Sequence, residues 1–171
     1  NAVAKESIAR RALELLSPGQ TLFIDSGTTC GALARLIRDM ELRVVTNSLT
    51  VLNLLAGARQ IALHAVGGSY RQEADSFIGP IAEASIERIN IDIAFMGASG
   101  VSTAGRFASQ NTIEAQFKAK VLTQATRAVV LFDRTKLRRA PFAIFARAAD
   151  VSALITDAPV EDLEGFALSG I

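Results

Sequence analysis

Apolar positions along this chain fall into two alternating rhythms. From Val3 to Leu16, Ile8, Ala9, Ala12, Leu13, Leu15 and Leu16 recur at helical spacing until Ser17-Pro18-Gly19 stops them. Thr21 to Ile24 is a short apolar run that gives way to Asp25-Ser26-Gly27-Thr28-Thr29, after which Ala32, Leu33, Leu36 and Ile37 resume the helical period. The unit then repeats. Leu42 to Val45 predicts a strand, Thr46-Asn47-Ser48 a polar loop, Leu49 to Ala56 a helix, and Ile61 to Val66 a strand running into Gly67-Gly68. A helix through Ile81, Ala84, Ile86 and Ile89 leads to a strand from Ile91 to Met96 that breaks at Gly97-Ala98-Ser99-Gly100. A loop through Gly105, a helix near Ile113 to Ala125 and a strand from Ala128 to Phe132 follow, closing on Asp133. Beyond Asp133 the rhythm loosens into an apolar stretch, Phe142 to Phe145, and a last strand, Ser152 to Ile155, ending at Thr156-Asp157. Val160 to Ile171 has little period.

Short apolar strands alternating with amphipathic helices predict an α/β fold. Its sheet is mostly parallel and covered on both faces, because parallel crossovers need helices and bury both sides of a sheet. Composition narrows this further. With 171 residues, half of them hydrophobic, 20% charged and a mean hydropathy of +0.30, the chain is expected to form one somewhat oily globular domain that self-associates. Eighteen Lys and Arg against 17 Asp and Glu leave a net charge of +1, too little to neutralise several phosphates of a duplex. One cysteine, Cys30, and one histidine, His64, exclude an internal disulfide and leave no multi-cysteine zinc site, so a reducing cytoplasm is the expected compartment. No apolar run approaches the roughly 20 residues of a spanning helix, so no membrane partner is expected. The first residue is Asn1 rather than Met, and the chain is expected to be processed, tagged or cut from something longer.

In open α/β sheets, ligands sit beyond the carboxyl ends of the strands, so the polar segments just described are where chemistry is sought. Ser26, Gly27, Thr28 and Thr29 offer backbone N–H groups at a helix start, a glycine for close approach and three hydroxyls, which suit a phosphate; equally, Ser or Thr there caps the helix. Asn47 can hydrogen-bond a sugar hydroxyl or cap the next helix. Gly68 allows a tight turn and Arg71 a bidentate phosphate contact, against the alternative of a plain turn with a solvated arginine. Asp133 and Lys136, one turn apart, can hold a sugar hydroxyl and its phosphate or form a surface ion pair. His64 reads as a packed strand histidine, Cys30 as an inert buried thiol, and Phe77, Phe95 and Phe107 as core.

The boxes Asp25 to Thr29, Thr46-Asn47-Ser48-Leu49, Gly67 to Arg71, Phe77-Ile78-Gly79-Pro80, Asp92 to Gly100, Asp133 to Lys136 and Ile155-Thr156-Asp157 occur in an order that resembles the C-terminal sensor domain of DeoR-type bacterial transcriptional regulators. The resemblance runs from about Ala9 to Asp157. It implies a Rossmann-like domain related to ribose-5-phosphate isomerase and CoA transferases, with a phosphorylated sugar or related metabolite as effector and no cofactor or metal. It also implies an N-terminal winged helix-turn-helix that contacts operator DNA and lies before Asn1, and a homo-oligomer, dimer or tetramer. By motif, Ser26 to Thr29 would hold the phosphate, Asp25, Asn47 and Asp133 the sugar hydroxyls, and Gly68, Arg71 and Lys136 further ligand contacts. Cys30 departs from the pattern, standing where a small polar residue is frequent, and Thr135 stands where Ser is usual.

Two other readings compete with the sensor: an aldose–ketose isomerase acting on a sugar phosphate, and an oligomerisation domain with a vestigial pocket. Isomerisation needs a base within reach of the moving proton. The loop matching an acid-rich run of the isomerases reads Met96-Gly97-Ala98-Ser99-Gly100, and the position of their glutamate falls near Lys118, with Glu114 one turn away. The chain is therefore expected not to be an enzyme.

Overall fold

The computed structural model describes residues 1–168. Six parallel strands form the central sheet: β1 (Thr21–Ile24), β2 (Leu42–Thr46), β3 (Ile61–Ala65), β6 (Ile91–Gly97), β9 (Ala125–Leu131) and β11 (Ala153–Ile155), in the order β11-β9-β6-β1-β2-β3. Every neighbouring pair is parallel, and Phe23 lies level with Val45 on β2 and Ala94 on β6. The chain winds outward from β1 in one direction, then returns beside it as β6 and winds outward in the other. Strand order reverses between β1 and β6, and this is where a doubly wound sheet opens a crevice beyond its strand ends.

Each face of the sheet carries its own core. Leu22, Ile24, Val44, Ile93, Phe95, Val129 and Leu131 pack against α1 (Ala2–Leu13), α2 (Thr28–Leu36) and α3 (Leu49–Leu55), through Ile8, Ala12, Leu33, Ala34, Val51 and Leu55. The opposite face, with Phe23, Val45, Ala94, Met96 and Val130, is covered by α4 (Pro80–Ile86) and α5 (Thr112–Gln124). Phe107 and Phe145 of a small antiparallel sheet complete that cover. Burying one apolar face of each helix against buried strands supplies the main driving force, at about 25 cal/mol per Å² of apolar surface removed from water.

The expected α/β fold with a mostly parallel sheet is present, with three differences. The segment read as a turn around Gly67 to Arg71 is the first strand of a hairpin, β4 (Ser69–Arg71) paired with β5 (Ser76–Ile78). The loop through Gly105 joins β7 (Gly100–Val101) to β8 (Arg106–Ser109), and the apolar stretch after Pro141 is β10 (Ala143–Arg147), which pairs with β8. His64, expected to be packed, is exposed, because β3 is an edge strand and its face bearing Ala62 and His64 is left open to solvent. Phe95 and Phe107 are buried as expected, whereas Phe77 is half-buried against the Tyr70 ring, 5.4 Å away. In the segment from Val160 a short helix, α6 (Val160–Leu163), forms. No helix among the described residues is long and apolar enough to cross a membrane.

Candidate functional site

At the reversal point between β1 and β6 the structure opens a cavity of about 240 Å³. The loop after β1 and the start of α2 supply Ser26, Gly27, Thr28 and Thr29, the end of β6 supplies Gly97 with Ala98 and Ser99, and Asp133 and Lys136 come from the end of β9. Six of the ten candidate residues thus share one wall: Ser26, Gly27, Thr28, Thr29, Asp133 and Lys136.

The start of α2 is left uncapped. Gly27 is the N-cap, and among the described residues no side chain bonds to the free N–H groups of the first turn, so the capping role weighed for these hydroxyls is not the one they take. Gly27 sits at φ 109°, ψ 159°, a conformation essentially reserved for glycine. That backbone turn lets the chain leave β1 and enter α2 with the helix's opening residues on the cavity wall. Unpaired N–H groups and the positive end of the helix dipole together attract an anion.

Beneath this loop lies a buried charge cluster that sequence analysis did not assemble. Lys118, 3% exposed, extends from α5 and places Nζ 2.9 Å from Asp25 Oδ2, 3.3 Å from Glu114 Oε1 and 2.8 Å from the Gly97 carbonyl, which accepts a hydrogen bond from it. Its ammonium also lies 5.1 Å from the centre of the Phe145 ring. Burial alone would lower the lysine's pKa, but Asp25 and then Glu114 outweigh it and raise the pKa above the ordinary value. Asp25 is fully buried; its carboxylate also accepts from the N–H groups of Ser26 and Gly97, at 2.8 and 2.9 Å. It therefore ties the end of β1 to the end of β6. Asp25, expected to hold a sugar hydroxyl, has its oxygens engaged within the protein and is not among the residues lining the cavity.

Asp133 is also held from within. Its Oδ1 accepts from the Thr135 N–H at 3.0 Å and from the Thr135 hydroxyl. Burial pushes its pKa up, but those two hydrogen bonds and the nearby Lys136 and Lys5 hold it below the usual carboxylate range. Arg134 N–H donates to Asp157, 2.7 Å away, which pins the turn and accounts for the Thr156-Asp157 box.

Asn47, Gly68 and Arg71 are not among the residues lining the cavity. Asn47, 1% exposed, donates through Nδ2 to the Phe77 carbonyl at 3.1 Å and so fastens β2 to β5, while the cap of α3 is Ser48. Gly68, at φ 129°, lets the chain pass α4 closely: a Cβ there would stand 2.8 Å from the Ile78 carbonyl oxygen and 3.0 Å from the Ala82 Cβ. Arg71 pairs at 3.6 Å with Glu73, and Glu73, with Ala74, is what the hairpin presents to the cavity. Cys30 is buried, its Sγ 3.8 Å from the Phe95 carbonyl, and burial pushes its thiol pKa well above the ordinary range, in keeping with an inert group. Lys5 and Gln110 reach the cavity without being foreseen, as do Glu114 and Lys118, which the sequence had set only against the isomerases' glutamate and not among the ligand contacts. The one local signal was Glu114 and Lys118 at i and i+4 on a helix that is otherwise packed into the core.

Residues 1–158 match the DeoR C terminal sensor domain. The chain belongs to this family. Relatives include the HTH-type transcriptional regulator GlpR of Haloferax volcanii, 32% identical over 94% of this chain and 63% of its own length. The glycerol-3-phosphate regulon repressor of Escherichia coli strain K12 is 31% identical over 91% of the chain and 62% of its own. The chain thus spans less than two thirds of these relatives. Among solved structures, eIF2B delta from Chaetomium thermophilum is similar with a TM-score of 0.68 at 14% identity, covering 92% of this chain and 56% of that one. Ribose 5-phosphate isomerase A from Methanocaldococcus jannaschii gives 0.57 at 19%, covering 78% and 53%. The family's fold is thus the Rossmann-like arrangement shared with those proteins, and its relatives named here are regulators of transcription.

Proposed function

We propose that this chain is the effector-sensing part of a DeoR-type transcriptional regulator. A phosphorylated sugar or related phosphometabolite binds in the cavity between β1 and β6, and its occupancy changes DNA binding by a winged helix-turn-helix outside this chain. The observation that carries this reading is the uncapped start of α2, opening into a cavity that Lys5 and Lys136 also line. At about 240 Å³ the space is below the usual range for drug-sized ligands, roughly 300–1,000 Å³, and suits one small metabolite. A relative named for a glycerol-3-phosphate regulon and one named for a lactose phosphotransferase system support the same class of effector, and one named for an L-fucose operon supports a sugar. The domain works as a homo-oligomer in this reading, and the effector shifts DNA affinity by no more than its own difference in affinity for the two states.

A panel of phosphorylated sugars tests it by thermal melting. At least one member is expected to raise the melting temperature, since a ligand at about 100 times its Kd stabilises by roughly 2.7 kcal/mol, and the unphosphorylated counterparts are expected to do much less. If every phosphorylated sugar leaves the transition unmoved while a neutral sugar shifts it, the phosphate assignment is wrong.

One observation favours a second reading, that of an isomerase: Glu114 is a carboxylate on the cavity wall in a fold shared with ribose-5-phosphate isomerase. The segment Met96 to Gly100 adds no acid beside it. Incubation with ribose 5-phosphate is expected to yield no ketose above background. Catalysed formation of ribulose 5-phosphate would transfer the assignment to the enzyme.

A further inference from the structure

A cavity that attracts an anion should not carry carboxylates without a use for them. This one carries Glu73, Glu114 and Asp133. Asp133 has its Oδ1 bonded twice within its own turn and lies on the side of the cavity that also carries Lys136, and Glu73 is exposed beside Arg71. Glu114 differs from both. It is 7% exposed, it projects from the first turn of α5, and its partner is the Lys118 ammonium at 3.3 Å. No other donor among the described residues is hydrogen-bonded to its carboxylate. A carboxylate that faces the cavity with acceptor capacity the protein leaves unspent is a ready partner for a donor on a ligand.

We infer that Glu114 is the acceptor for a hydroxyl on the uncharged part of the effector, with Lys118 as its positioning residue. The cavity is therefore specific for a phosphate ester with a hydroxyl-bearing tail and discriminates against a ligand whose tail ends in a second anion. This rests on the sugar-phosphate reading above and narrows it. A carboxylate accepts from two or more hydroxyls and donates to none, so a polyol tail completes its hydrogen bonding. A tail carboxylate or second phosphate beside Glu114 meets like charge and leaves both groups unpaired. Lys118 cannot relieve this, because Asp25 and the Gly97 carbonyl already share its protons. The position of Glu114 is fixed twice over, by the salt bridge and by the N-cap of α5, where Asn111 accepts from the Glu114 N–H at 2.8 Å.

Titration calorimetry with three probes tests this: inorganic phosphate, glycerol 3-phosphate, and 3-phosphoglycerate, which has the same carbon skeleton but a carboxylate in place of the terminal hydroxymethyl. The unmodified chain is expected to bind glycerol 3-phosphate about tenfold or more tightly than either of the other two. In Glu114→Gln, which keeps the shape of the side chain, affinity for glycerol 3-phosphate is expected to fall about ten- to hundredfold. Affinity for inorganic phosphate should stay within about twofold, and the discrimination against 3-phosphoglycerate should shrink. Equal binding of the two esters by the unmodified chain overturns the inference, and this arm does not depend on any variant folding. So does a loss in Glu114→Gln that is the same for inorganic phosphate and the ester, which marks a purely structural glutamate. If none of the phosphates binds the unmodified chain, the sugar-phosphate reading itself fails and this inference falls with it.

Discussion

Lys118→Met is expected to lower the stability of this domain by about 3–5 kcal/mol, the usual cost of removing one partner from a buried ion pair. Methionine matches the lysine stem in length and packs against Phe145, so the loss is of charge rather than of volume. Without the ammonium, Asp25 is left fully buried with no cation, and Glu114 loses its partner. In a chain of 171 residues that corresponds to a fall in Tm on the order of 10 °C. Urea denaturation followed by circular dichroism measures it. Adding Asp25→Asn to the methionine variant should restore part of the loss, since the orphaned charge goes with it; a single variant within about 1 kcal/mol of the parent would contradict the account. The consequence reaches the cavity, because Asp25 is the group that holds Ser26 and Gly97 together across the reversal point.

Gly27→Ala has the second large effect, and it falls on binding more than on folding. A Cβ at Gly27 meets nothing within 4 Å, so no clash opposes the substitution. What opposes it is the backbone: φ 109° with ψ 159° costs a side-chain-bearing residue on the order of 1–3 kcal/mol. The variant escapes by rotating the loop, and that rotation turns the opening N–H groups of α2 away from their present direction. Affinity for inorganic phosphate should therefore fall about tenfold or more, while the loss of stability stays at or below that range. Phosphate binding unchanged from the parent, measured by the same calorimetry, would show that the loop is not the anion cradle.

Both residues illustrate which parts of this protein can be read in one dimension. The strand–helix alternation was legible because the central stretches of the inner strands are buried on both faces and so appear as unbroken apolar runs, from Leu22-Phe23-Ile24 to Val129-Val130-Leu131. The loop after β1 was legible because its glycine, serine and threonines are consecutive. The short strands β4, β5, β7 and β8 were not, since two to four residues carry no period and β10 finds β8 from more than 30 positions away.

Sequence by itself therefore determined the class of fold, the order of its parallel units along the chain and the polar loop that opens α2, because each is written in contiguous residues. Tertiary structure alone decided which polar side chains serve the cavity and which serve the protein. Asp25 stands in the same loop as Thr28 yet is wholly enclosed, while Lys5, Glu114 and Lys118 reach the cavity from helices far from that loop along the chain. The physical reason is that a charge takes its role from what surrounds it. Burial and a partner many residues away along the chain, such as Lys118 beside Asp25, set that role, and neither is encoded locally.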